Sequence, residues 1–170
     1  RKLLLGPDGN PFVPFPAQET LLRGVMRRTV WNTGRQFSKT TTAGAFVAHR
    51  AMCNANWNIC IVAPSLEQAR IMFREVEGHF LNTELKSMLA VRPKAHPFPE
   101  IRLKNGTTIT ARGANSPQFI RGNRFHLVVV DEAAFVKDAT ISEAIEPTMT
   151  VTGKVAGAAL VLCSTPWGSG

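Results

Sequence analysis

The apolar positions divide the chain into alternating helix and strand signals. Residues 6–16 are rich in proline and glycine and read as an irregular arm lying over the rest. A short helical pattern follows at Ala17–Met26, with Leu21, Leu22 and Val25 apolar. Thr29–Asn32 reads as a strand, and Lys39–Asn54 carries helical periodicity through Ala43, Phe46, Val47 and Ala51. Trp57–Ala63 predicts a second strand stopped by Pro64, and Leu66–Leu81 a helix with Ser65 as its cap. After a proline-rich loop at 93–99, the β-prone runs Glu100–Lys104 and Thr107–Arg112 flank Asn105-Gly106, a strong hairpin signal. Leu127–Val130 is continuously apolar, as a buried parallel strand requires. Ile141–Ile145 reads as helix ending before Pro147, and Ala158–Ser164 as a last buried strand. Strands alternating with helices predict an α/β domain with a mostly parallel central sheet flanked by helices. The organisation expected is an arm at 1–16 and one domain at 17–170.

Bulk properties narrow the class. A length of 170 residues suits a single domain with its own core. No apolar tract reaches the length of a membrane span. The chain starts at Arg1 rather than Met and ends abruptly at Gly170, so a piece of a longer protein is expected. The formal net charge of +8, from 20 Lys and Arg against 12 Asp and Glu, favours a polyanionic partner such as nucleic acid, with solubility as the alternative. Cys53, Cys60 and Cys163 match no zinc spacing and read as reduced, buried thiols of a cytosolic protein. His49, His79, His96 and His126 show no paired ligand spacing, so no transition-metal site is expected.

Chemistry concentrates at three strand ends. The segment from Asn32 to Thr41 lies between a predicted strand and a predicted helix, where a Walker A phosphate loop belongs. There, backbone amides face phosphate oxygens, a lysine reaches the β/γ-phosphates and a hydroxyl ligates magnesium. Lys39 and Thr40 fill the last two roles. The G-x-x-x-x-G-K-[ST] pattern is imperfect, because Thr33 and Ser38 stand at the glycine positions and Gly34 is displaced by one. An ordinary helix start capped by Ser38, with Lys39 solvated, is the competing reading. The apolar run 127–130 leads directly into Asp131-Glu132, a Walker B arrangement in which Asp131 holds magnesium and Glu132 polarises the attacking water. Adjacent carboxylates at a strand end repel unless a cation compensates. The strand at 158–164 ends in Ser164 and Thr165, where hydroxyls would meet a γ-phosphate or lytic water and report nucleotide state. A plain Ser-Thr-Pro turn is the alternative.

Together these motifs resemble the ATPase domain of large terminase subunits, the DNA-packaging motors of tailed bacteriophages and herpesviruses. The resemblance rests on Arg35-Gln36-Phe37-Ser38-Lys39-Thr40, which follows that family's Arg-Gln-x-Gly-Lys-Thr loop except at Ser38. It also rests on Pro16–Leu22, on Ala63–Ala69, on Asp131-Glu132 and on the following Ala133-Ala134-Phe135. It implies a P-loop NTPase fold of the additional-strand, conserved-glutamate type, with ATP and Mg2+ as cofactors. Gly34, Arg35, Gln36, Phe37, Ser38, Lys39, Thr40 and Thr41 would cradle the phosphates, and Gln18 would read the adenine edge with both amide groups. Arg35 would neutralise transition-state charge in cis, and Arg121 would be a finger offered to a neighbouring subunit, with Arg124 a competitor on the same loop. Glu132, Lys39, Arg121 and Arg35 would thus be the catalytic set, Thr40 and Asp131 the metal ligands, and Ser164 and Thr165 the coupling residues. The implied setting is the host cell cytoplasm. The implied partners are double-stranded DNA, a portal protein, a small terminase subunit and copies of the chain in a ring, with no membrane. A nuclease domain would follow Gly170, and the chain itself shows no nuclease acid cluster. A helicase-like translocase and a nucleic-acid-binding module with a degenerate phosphate loop are the alternatives.

Overall fold

The computed structural model describes residues 4, 6, 8–34 and 37–166. Six strands form one sheet: β1 (Arg28–Asn32), β2 (Asn58–Ala63), β3 (Glu100–Arg102), β4 (Thr108–Gly113), β5 (Leu127–Val130) and β6 (Ala159–Ser164). Their spatial order is β1-β6-β5-β2-β4-β3. Every neighbouring pair is parallel except β3–β4, the expected hairpin, in which Ile101 lies opposite Ile109. The turn holds because Gly106 takes a φ of +83°, open to glycine at no steric cost. The principal helices are α1 (Pro16–Arg23), α2 (Lys39–Cys53) and α3 (Leu66–Leu81).

The period of two along the strands explains the layers. Ile59, Ile61, Leu127, Val129, Ala159 and Val161 point to one face, where Phe46, Val47, Met72, Phe73 and Phe80 of α2 and α3 cover them. The alternate residues Cys60, Val62, Val128, Val130 and Leu160 point to the other face, against Ile120, Phe125, Val136, Ile145 and Met149. With both faces covered, β5 has no polar position to place, hence its unbroken apolar run. Each crossover between parallel strands leaves from the carboxyl ends of the strands, where the chemistry-bearing segments lie, and returns the chain to their amino ends.

Several local expectations are revised. The helical backbone does not stop before Pro147: Asp138–Thr140, a wide π-type turn at Ile141–Ile145 and a tight turn at Glu146–Met149 follow one another. Pro147 opens that last turn, where its missing N–H removes no helical bond. α1 ends at Arg23, short of Met26, with Gly24 at its C-cap. Cys60 and Cys163 are buried, but Cys53 is exposed, because it falls on the outer face of the last turn of α2. Its sulfur lies 3.6 Å from His49 Nε2. Leu4 of the arm packs against the core. Among the described residues no helix is long and apolar enough to cross a membrane.

β4 ends in a close approach to α3. A Cβ added at Gly113 would lie 2.7 Å from the Leu66 backbone nitrogen and 2.4 Å from Asn115 Oδ1. The backbone contact cannot yield by a rotamer change, so Gly113→Ala is expected to destabilise the domain by about 1–3 kcal/mol. Urea denaturation checks this: a midpoint equal to wild type would mean that the strand end moves without cost.

Candidate active site

Strand order brings three distant segments together. β6 lies between β1 and β5, with Asn32 opposite Ser164 and Val130 opposite Leu162. The residues that follow β1, β5 and β6 therefore emerge side by side: Thr33 and Gly34, the pair Asp131-Glu132, and Thr165. The inserted β6 is the additional strand between phosphate-loop strand and acid-bearing strand.

Lys39 is the centre of the cluster. Its Nζ donates to Glu132 Oε1 at 2.9 Å and to Thr165 Oγ1 at 3.3 Å, and lies 3.4 Å from Asp131 Oδ1. Its side chain is only 9% exposed, so the solvated lysine of the competing reading is excluded. The cation that two adjacent acids require is thus supplied from 93 residues away in sequence. Burial pulls the Lys39 ammonium down, but the Glu132 hydrogen bond and the charges of both acids outweigh it and hold its pKa above the ordinary lysine value. Burial pushes the Asp131 carboxyl above the usual aspartate value. The Lys39 charge offsets this only in part, since Lys39 is shared with Glu132, whose own charge adds to the rise. Cys163 lies beneath; burial, and then the charge of Asp131, push its thiol up.

The phosphate loop departs from an ordinary helix start at Ser38. The residue sits at φ 54°, ψ 43°, in the left-handed region, and its side chain makes no capping bond, which goes against the competing reading of an ordinary helix start capped by Ser38. Positive φ is where glycine carries no Cβ penalty, which accounts for glycine at this place in the loop pattern. Gly34 is exposed, and its carbonyl accepts the Phe37 N–H at 3.1 Å. Phe37 is half-buried, Thr40 is half-buried and Thr41 buried in the first turn of α2. Arg35 and Gln36 lie outside the described residues.

Gln18 is buried, 2% exposed, and its amide is engaged within the protein. Its Nε2 donates to the Phe37 carbonyl at 3.2 Å and to Thr42 Oγ1 at 2.8 Å, while its Oε1 accepts the Phe15 N–H at 3.1 Å. Reading adenine with both amide groups, as the resemblance implies, would require these bonds to be given up. Thr42, a residue the motif patterns do not single out, donates in turn to the Ser38 carbonyl at 3.0 Å. The rings of Phe15 and Phe37 meet edge to face at 5.3 Å.

The remaining candidates divide. Thr165 joins the cluster through Lys39, whereas the Ser164 hydroxyl bonds to the neighbouring Thr165 carbonyl at 3.4 Å. Arg121 is not brought to the Lys39 cluster. It is exposed, 3.8 Å from Glu143, and lines a separate cleft with Pro64, Phe135 and Lys137. Arg124 is exposed and its carbonyl accepts from Asn58 Nδ2. Glu132 also adopts positive φ, 48°, and its backbone N–H donates to Asp131 Oδ1 at 3.0 Å.

The strain at Ser38 gives a direct expectation. Ser38→Gly removes a left-handed penalty of about 1–2 kcal/mol, offset in part by the greater freedom of glycine in the unfolded chain. A net gain in stability of up to about 1 kcal/mol should appear as a raised thermal midpoint. A lowered midpoint would mean that Ser38 is not strained.

This architecture has known counterparts. The sequence matches, over residues 30–169, the family model described as "Terminase large subunit, T4likevirus-type, N-terminal". It is 30% identical to the large terminase subunits of Thermus phage G20c and Thermus virus P23-45. Each alignment covers 92% of this chain and 34% of the relative, so the chain spans about a third of their length. The large terminase ATPase domain of Thermus phage P74-26 superposes with a TM-score of 0.76 at 24% identity, over 94% of this chain and 67% of that one. The large terminase of bacteriophage HK97 does so at 0.77 and 19%, over 96% and 35%. The large terminase of another thermophilic bacteriophage has been solved in complex with ADP, and that structure superposes at 0.62 and 18%, over 88% of this chain and 38% of that one. With the P-loop NTPase fold and the matched segment in agreement, the chain belongs to the N-terminal region of the T4-type large terminase subunit family.

Proposed function

We propose that this chain is an ATP-hydrolysing motor unit that drives double-stranded DNA into a viral procapsid. The observation that carries the reading is Lys39, held between Asp131, Glu132 and Thr165 beside a strained loop at the N-terminus of a helix. In this reading the first-turn amides of α2, which have no intrahelical acceptors, and Lys39 bind the phosphates. Asp131, buried and acidic, and Thr40, in the first turn of α2, are the donors suited to a hard divalent cation. Magnesium would supply charge neutralisation at the β- and γ-phosphates. Glu132, a third exposed, orients a water and accepts its proton. Arg35 belongs to the loop itself. Arg121, exposed and outside its own chain's cluster, is the arginine offered to a neighbouring copy in a ring on the portal. Ser164 and Thr165, at the end of β6, carry the nucleotide state into the sheet. The small terminase subunit, the host cytoplasm as setting and an absence of membrane contact complete the reading.

The DNA part of the proposal rests on charge. Lys94, His96, Arg102 and Arg112 line one cleft beside the β3–β4 edge of the sheet, with Glu100 as its acid. Arg112 lies 4.3 Å from the centre of the Phe98 ring, so its guanidinium is held by packing as well as by charge.

Glu132→Gln is expected to lower the rate of magnesium-dependent ATP hydrolysis by about 10²–10⁴-fold while leaving ATP binding in place. Hydrolysis per mole of wild type should rise with protein concentration if Arg121 acts between copies. Turnover unaffected by the substitution would remove Glu132 from the mechanism. No turnover by wild type, when concentrated and with DNA present, would favour a binding module with a degenerate phosphate loop.

Duplex DNA affinity, followed through a salt series, should fall linearly in log–log form as phosphate counterions are released. The double variant Lys94→Gln/Arg102→Gln should flatten that slope by about two. An unchanged slope would move the DNA contact to another face.

A further inference from the structure

We infer that Gln18 is a positioning residue of the phosphate loop, and that it supplies through hydrogen bonds the conformation that glycine would otherwise supply at position 38. The inference rests on the nucleotide-binding reading above. Its basis is the path of two bonds. Gln18 Nε2 fixes the Phe37 carbonyl directly, and through Thr42 Oγ1 it adds a second bond to the Ser38 carbonyl, which also accepts the Thr42 backbone N–H at 2.9 Å. A peptide unit is planar and trans, so a carbonyl anchored on one side holds the next residue's N–H on the other. Anchoring the carbonyls of Phe37 and Ser38 therefore sets the directions of the Ser38 and Lys39 amides, two donors that a phosphate would meet.

These peptide units flank the strained residue. Ser38 sits at φ 54° with a side chain that does nothing to hold it there. A non-glycine residue persists in that region only where its surroundings over-determine it. The surroundings here are Gln18 and Thr42, 2% and 0% exposed, so their bonds are shielded from competing water. Gln18 is itself tied down by the Phe15 N–H, the residue that opens α1. Both of its amide protons have acceptors in the protein, so donating to the acceptor nitrogen of a base would cost one of the bonds that hold the loop.

A base reader and a loop positioner differ in what they do to a ligand without a base. Isothermal titration with magnesium tripolyphosphate and with magnesium ATP separates them, using wild type, Gln18→Met, Thr42→Val and Gln18→Met/Ser38→Gly. Gln18→Met and Thr42→Val should each weaken both ligands by the same factor, roughly tenfold. Adding Ser38→Gly to Gln18→Met should recover most of that loss, because glycine adopts the left-handed conformation unaided. The rescue also separates a positioning role from general loss of fold, which one residue of loop strain would not repair. A loss confined to ATP, with tripolyphosphate binding intact, would overturn the inference and return Gln18 to base recognition. Equal losses without rescue by Ser38→Gly would also overturn it. Failure of wild type to bind either ligand would instead defeat the nucleotide reading on which it rests.

Discussion

The ion cluster at Lys39 is the interaction on which the rest of the site depends. Two carboxylates at the end of a fully buried strand would be untenable alone, and the folded chain meets that demand with a lysine from the far side of β6. Such a cluster is weak evidence for stability, since removing three charged groups from water costs about as much as their attraction returns. Its presence at the carboxyl end of a parallel sheet is instead evidence of use. The sheet order serves this end. With β6 inserted between β1 and β5, the phosphate loop and the acids stand two strands apart, a gap that the lysine side chain spans.

The cost of this arrangement is carried by the backbone. Ser38 and Glu132 both hold positive φ, one on each side of the Lys39 bridge. Residues in that region are rare outside glycine, and their coincidence here marks a place where geometry outranks local preference. The two are held differently. Glu132 is stabilised by its own neighbour, through the bond from its backbone N–H to Asp131 Oδ1. Ser38 is flanked by carbonyls held from outside the loop, that of Phe37 by Gln18 and its own by the backbone N–H and hydroxyl of Thr42, which ties α1 to the phosphate loop.

Much of the scaffold was legible in the sequence because its signals are local. Leu127–Val130 and Leu66–Leu81 match the structure end for end, the first from its apolar run and the second from Ser65, which forms the capping box with Gln68. The Asn-Gly turn announced the hairpin. What escaped was set by tertiary context. Pro147 reads as a stop, yet it opens a tight turn that needs no donor from it. Ser38 reads as a residue at a glycine position of the loop, or as a helix cap, and no local pattern separates the two; the structure puts it in the left-handed region with no capping bond from its hydroxyl. Gln18 reads as a surface residue of a short helix or as a base reader, and no local pattern reveals partners 19 and 24 residues away. Cys53 was grouped with the buried thiols because residue type alone gives no face of a helix.

The same electrostatics constrain how a nucleotide would be received. A phosphate that draws Lys39 toward itself takes from Asp131 and Glu132 the cation that Nζ provides at 3.4 and 2.9 Å. The acids then gain affinity for another cation, by as much as the lysine had satisfied them. Linkage makes the effect reciprocal: a divalent ion that satisfies the acids frees Lys39 for phosphate. Triphosphate and metal would accordingly bind as a coupled pair, with Lys39 as the group they exchange. A site built on one shared cation needs no moving domain to couple the two ligands, and Thr165 at the end of β6, bonded to the same Nζ, would lose that bond as Lys39 moves.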